Sequence, residues 1–417
     1  MKYYLRLVLM RTWVMLLGLG LTVSSAVSQS TIGAGGVTIT FSGTVDDNQL
    51  AFFNVDGAIG SVSQIGIGGR SADGASAAVK FKFSELRPLN PAGPAPPNFV
   101  VLSPASGTTP AYVPVGLNRG VLRGLGPGTY AAAVIFSTVD QSPPSLAGVT
   151  VVLRLRAPPA PVIGSVLSSA SLQPSISPGE LVSIFGTNLG PMISSTQYDV
   201  TGLYPATLAD PETSAALGGQ RYGNTTVLIG GIAAPLLYVS PNQINAIVPY
   251  GVAGQKTADI VLTRYGQTAG PFTVPVQDTS PAIFTATQNG SGQGAILNVP
   301  PILPALSLYT YNSVDNPAAK GSVIVLFATG AGVWNNPLVQ DGAVSLAVTN
   351  FQAKPVSLTV GGQPARILYA GAAPYEVWGM FQVNAFVPDG IGSGPQPVVL
   401  TIGQNDNSKQ KVTMAIK

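Results

Sequence analysis

A repeated set of blocks constrains this chain more than any other feature. Gly179–Gly190, GELVSIFGTNLG, aligns without gaps to Gly321–Gly332, GSVIVLFATGAG. Val227–Tyr238, VLIGGIAAPLLY, then aligns with Leu358–Tyr369, LTVGGQPARILY. QINAIVPYG follows in the first copy and QVNAFVPDG in the second, pairing Gln243 with Gln382 and Asn245 with Asn384. Three blocks in one order, about 130 to 140 residues apart, describe two homologous domains in tandem. The second copy carries about eight extra residues between its Tyr and its Gln, where AGAAPYEVWGMF stands in place of VSPN.

Local patterning states what those domains are made of. In AVKFKFS, Val79, Phe81 and Phe83 alternate with Lys80, Lys82 and Ser84, the period of a half-buried strand. VTITF (Val37, Ile39, Phe41), VSLTV (Val356, Leu358, Val360) and KVTMAI (Val412, Met414, Ile416) repeat it. No stretch sustains a helical period with caps, so the chain is expected to be all-β. Gly230-Gly231 and Gly361-Gly362 follow strands with no helix pattern after them. They are read as hairpin turns with positive φ rather than as phosphate-cradling loops.

Proline marks the joints. RAPPAPVIG, from Arg156 to Gly164, follows the strand Val149–Leu155 and reads as a stiff linker. A second joint falls near Ser280-Pro281. RPLNPAGPAPPN is instead a long loop within the first domain, because the segments flanking it are too short to fold alone. The expected organisation is 1–28 leader, 29–157 first domain, 162–278 second and 281–417 third.

The leader is read from Lys2, Arg6 and Arg11, the apolar run Trp13–Leu21, and the small-x-small site Ala26-Val27-Ser28. It implies export: extracellular, cell-surface or periplasmic. No segment is long enough to be a comfortable membrane span. The whole chain has 20 basic and 17 acidic residues, and the three leader charges are all basic, so the mature chain is neutral. That balance points to no nucleic acid and no cation sink.

The chain holds no Cys and no His. Disulfides, thiolate nucleophiles, zinc-thiolate sites, Ser-His-Asp triads and histidine-ligated metals are thereby excluded. Glycosidase-like carboxylate pairs and a Ser-Lys dyad are not, but the carboxylates are too scattered to nominate. No catalytic residue, no metal ligand and no cofactor is assigned. Asp46-Asp47-Asn48 and Asp56 could offer oxygen ligands to calcium, but their spacing matches no EF-hand or repeat-type loop and they read as a solvated turn.

The repeated blocks resemble a known family. ISPGELVSIFGTNLGP looks like the opening strand and turn of an IPT/TIG domain, an immunoglobulin-like sandwich. Together with GGIAAPLLYVSPNQINAIVPYGV, SPAIF, NPAAKGSVIVLFATGAG and GGQPARILYAGAAPYEVWGMFQVNAFVP, it is similar to the C-terminal domain family of secreted Solibacter-type bacterial proteins. The resemblance covers Val162 to Lys417 and departs at Pro374-Tyr375, where that family usually has Pro-Gly. It implies three tandem immunoglobulin-like β-sandwiches once the first domain is included. There, Leu125, Pro127, Gly128 and Tyr130 match the Leu-x-Pro-Gly-x-Tyr turn of a BACON-type module, whose relatives are suspected of binding carbohydrate or mucin.

Two sets of residues stand out as sites. Gln243, Asn245, Gln382 and Asn384 are polar amides in apolar runs, and side chains at i and i+2 of a strand share a face. They could grip a sugar. The plainer reading is a fold-defining fastening in which they bond the backbone of a neighbouring loop, since both copies keep the pair while their loops differ. Tyr375 and Trp378, in the loop only the third domain has, and Trp334 after its Gly-Ala-Gly turn are the aromatic candidates for stacking on sugar rings. The plainer reading is that they plug the end of their own sandwich.

These observations lead to an exported, non-enzymatic adhesion or architectural protein, with a carbohydrate-binding protein as the alternative and a polysaccharide hydrolase as a remote one. Expected partners are cell-surface or extracellular polysaccharide or another surface protein.

Overall fold

The computed structural model describes residues 31–34, 38–44, 53–55, 58–60, 62–122, 125–190, 195–196, 225–300, 309–335, 339–345, 348 and 353–417. The leader and the Asp46–Asp56 group lie outside them. Contacts divide the chain into two units, Met1–Ala157 and Pro158–Lys417, and the division falls inside the proline-rich linker. The chain is all-β, and among the described residues the helical segments are single turns such as Arg119–Leu122. Among the described residues no helix is long and apolar enough to cross a membrane.

The first unit pairs a four-stranded sheet with a seven-stranded one. In the larger sheet Leu146–Arg156 runs antiparallel to Gly128–Thr138 and parallel to Ile39–Thr44. The alternating apolar positions form its core: Ile39, Phe41, Val79, Phe81, Val149, Val151, Leu153 and Leu155 are buried. Phe81 and Phe136 meet edge to face at 5.8 Å, the favoured arrangement for two ring quadrupoles. In the Leu-x-Pro-Gly-x-Tyr turn, the Tyr130 hydroxyl donates to the Gly126 carbonyl at 3.0 Å and closes the turn into the Gly128–Thr138 strand.

The second unit holds two β-sandwich cores, one per repeat. The first repeat packs the sheet containing Val162–Ser168, Leu181–Thr187, Gln243–Ile247 and Leu236–Val239 on the sheet containing Thr225–Ile229, Thr257–Arg264 and Gln267–Pro275. The second repeat does the same with Ile296–Val299, Val323–Thr329, Phe381–Phe386 and Ile367–Ala372 against Val412–Ile416, Gly394–Ile402 and Val356–Val360.

Equivalent residues make equivalent bonds. Ser183 lies opposite Asn245, as Val325 lies opposite Asn384. Gly179 donates to the Val248 carbonyl at 2.8 Å, and Gly321 to that of Val387 at 2.9 Å. Gly230-Gly231 and Gly361-Gly362 close two-residue hairpins with positive φ at both positions, the backbone that matches right-handed strand twist.

Candidate functional site

The extra loop of the second repeat is built from Ala372 onward, where the Ile367–Ala372 strand ends. Ala373 donates to the Met380 carbonyl at 2.9 Å and Met380 to that of Val377 at 2.8 Å. Tyr375 donates to the Ser345 carbonyl at 2.7 Å and Trp378 to that of Ala343 at 3.1 Å, so a second segment braces the loop. Tyr375 has φ +65, the left-handed region that a side chain rarely adopts, and its ring is 64% exposed.

Of the other two aromatic candidates, Trp378 is buried and Trp334 is partly buried. Trp378 is only 7% exposed. It meets Trp334 edge to face at 5.5 Å, and Trp334 packs on the core residue Phe381 at 5.9 Å. Reading Trp378 as an open stacking platform is therefore corrected, while Trp334 keeps part of its surface accessible. Burying the large Trp378 indole against its neighbours outweighs its hydration, and Tyr375 is the most exposed of the three.

What the loop does is dock the second repeat onto the first. Val377 and Met380, with Phe284 and Val344, cover Leu181, Ile247 and Leu237 on the outer face of the first repeat's sheet. Gly379 lies so close to the Gly179 carbonyl and the Leu181 side chain that any Cβ at 379 would collide with both. Thr329 accepts from the Leu181 N–H at 2.9 Å and donates to the Gly379 carbonyl at 2.8 Å, relaying between the repeats. Trp334 donates its indole N–H to the Tyr250 hydroxyl at 3.1 Å, and the Tyr250 N–H donates to Asp341 at 2.7 Å. Gln410 adds a bond to the Ala170 carbonyl at 3.1 Å.

Burial sets the charge state here. It pushes the carboxyls of Asp341 and Glu376 above the ordinary carboxylate range, opposed at Asp341 by the Tyr250 N–H. It raises the Tyr250 phenol as well. At the turn opening the first repeat, Glu180 is fully buried and its carboxyl is pushed up to about 8 by loss of solvent. The hydrogen bonds it accepts from the Ser177 N–H at 2.7 Å and the Ser177 hydroxyl at 3.0 Å offset only part of that.

The Gln-x-Asn pairs share a face, as their spacing requires, but they bond differently from the expectation. Gln243 donates its amide to Asn245 Oδ1 at 2.8 Å and Gln382 to Asn384 Oδ1 at 2.9 Å. Each pair is thus an amide ladder along one strand rather than a bridge to a neighbouring loop. Asn245 Oδ1 also accepts from the Ser183 hydroxyl at 3.1 Å, a bond that Val325 cannot supply in the second copy. All four amides are half-buried on the outer face of their sheets, while Ile244, Ala246, Val383 and Ala385 fill the cores.

Sequence reasoning missed Tyr250, Asp341, Thr329 and Gly379. One signal was present: Tyr250 breaks the otherwise close match of the last block, where the second copy has Asp389.

Sheet order, repeat register and the positive-φ turns converge on one assignment for the first repeat. Residues 165–276 match the IPT/TIG domain family. The tandem domains are immunoglobulin-like. Among solved structures, the chain is similar to the plexin A4 extracellular region at 9% identity, over 90% of this chain and 33% of that one, with a TM-score of 0.21. It is similar to Bacteroides ovatus SGBP-B of the mixed-linkage glucan utilization locus, solved with a mixed-linkage heptasaccharide, at 15% identity. That match covers 72% of this chain and 56% of that one, with a TM-score of 0.26. A third is the Salmonella enterica SafA pilin in complex with the SafB chaperone, at 10% identity over 60% and 98%, with a TM-score of 0.19. The chain thus spans about a third of the plexin chain and just over half of SGBP-B. No curated protein matches the sequence.

Proposed function

We propose that this chain is an exported, non-catalytic adhesion or architectural protein, of the Solibacter-type secreted class, whose first unit is a BACON-type module. The observation that supports this best is the use made of the extra loop of the second repeat. It packs between two immunoglobulin-like sandwiches through an apolar patch and a Thr relay, beside a Trp334–Tyr250 bond that also spans them. A protein that bears load or spaces other groups needs its modules held in a fixed relation, and this loop serves that end. The test is surface retention. Cells displaying the chain adhere to a matrix or to one another, cells lacking it do not, and the purified protein releases no product from any polysaccharide. Hydrolysis of a polymer, abolished by a single carboxylate change, overturns the non-catalytic reading.

A second reading, carbohydrate binding, is favoured by Tyr375 alone. Its exposed ring is held in a strained backbone conformation on a braced loop, and strain of that kind collects at binding sites. Under this reading a glycan array shows binding that Tyr375→Ala removes. A blank array alongside retained adhesion sinks it.

A further inference from the structure

The two repeats differ in whether one face is covered. In the first repeat that face carries Gly179, Leu181, Pro235, Ile247 and Tyr250, and the second repeat lies over it. The equivalent positions in the second repeat are Gly321, Val323, Arg366, Phe386 and Asp389. The backbone there is the same. Gly179 and Gly321 both have φ +74, and Ile247 and Phe386 donate to the Pro235 and Arg366 carbonyls, each at 2.9 Å. Yet where Gly179, Leu181, Pro235 and Ile247 are buried, Gly321 and Arg366 are exposed and Val323 and Phe386 half-exposed. Leu368, the counterpart of Leu237, is 50% exposed.

We propose that this face of the second repeat binds the same face of a second copy of the chain, in a two-fold dimer. Three observations carry it. The equivalent surface of the first repeat is already a docking surface for a β-sandwich of this chain, so the local shape suits that kind of partner. Its centre is apolar, with Leu368, Val323 and Phe386 together. Its charges are self-complementary: the Arg366 guanidinium lies 3.9 Å over the Phe386 ring from the strand on one side, while Asp389 lies beside Gly321 on the other. A two-fold axis through Phe386 brings Arg366 of one copy to Asp389 of the other. Where the permanently docked face has Pro235 and Tyr250, this one has Arg and Asp, which is the polar rim of an interface that forms and separates.

Sedimentation velocity on the full chain, across a micromolar to millimolar series, tests this. Wild type is expected to show a reversible monomer–dimer equilibrium. Leu368→Asp weakens it by about tenfold or more, with an unchanged melting transition because the side chain is already half in solvent. Arg366→Glu and Asp389→Arg each weaken it, and the two together restore it. Wild type that stays monomeric throughout, a dimer indifferent to Leu368→Asp, or a double reversal no tighter than the single ones overturns the proposal.

Discussion

Trp334 donates its indole N–H to the hydroxyl of Tyr250 at 3.1 Å, and the bond runs from one repeat to the other. Both residues are partly buried, so water competes only in part for the bond between them. Tyr250→Phe leaves the indole without that acceptor. The expected loss is about 1–3 kcal/mol in denaturant unfolding of the full chain. A change within error would mean that water replaces the hydroxyl and that the bond contributes nothing to docking.

The aromatic loop residues separate sharply. Trp378→Ala empties a buried site against Trp334 and is expected to cost about 3–5 kcal/mol. Tyr375→Ala exposes nothing new and stays within about 0.5 kcal/mol. Tyr375→Gly, which frees the left-handed backbone at 375, does not lower the melting temperature. Similar losses for Trp378→Ala and Tyr375→Ala would contradict this assignment.

Gly379 sets the distance between the repeats. Gly379→Val drives a side chain into the Gly179 carbonyl, and the docked arrangement has to open. Calorimetry is expected to resolve two transitions for the second unit where wild type gives one. A single unshifted transition in the variant would show that the close approach is not needed.

The amide ladders are unequal. Asn245 accepts from Gln243 and Ser183, whereas Asn384 accepts from Gln382. Asn245→Ala is therefore expected to cost about 1–2 kcal/mol and Asn384→Ala about 0.5–1 kcal/mol. Chemical denaturation that gives the reverse order refutes the ladder as the source of the effect.

Stability should fall as pH rises. Glu180 has its folded-state carboxyl raised to about 8, so the folded chain keeps a proton that the unfolded chain releases in the ordinary carboxylate range. The stabilisation is complete below that range and is lost as pH rises through about 8. Asp341 and Glu376 are shifted in the same direction and add to it. Glu180→Gln keeps an acceptor for Ser177 and is expected to flatten the slope of denaturant midpoint against pH. An unchanged slope assigns the dependence elsewhere.

Much of this protein could be read from local pattern. Alternation at Val79 to Phe83, Val356 to Val360 and Val412 to Ile416 names strands and their buried faces, because side chains alternate across a sheet whatever it packs on. The repeated blocks identify two copies of one sandwich, and the Gly-Gly pairs name its hairpins, because a two-residue turn of that hand needs positive φ twice. Spacing also put Gln243 and Asn245 on one face. It could not say that they bond each other, since that depends on what stands opposite them.

Tertiary structure decided the role of the loop. From sequence, Tyr375, Trp378 and Trp334 were equivalent aromatics near turns, but their exposure depends on where a second sandwich lies. Tyr250 meets Asp341, and Leu181 meets Thr329, only after both repeats have folded and docked. Periodicity reports the environment a residue creates with its own strand. Contacts made between finished domains follow from the shape of two surfaces, and no local pattern encodes that.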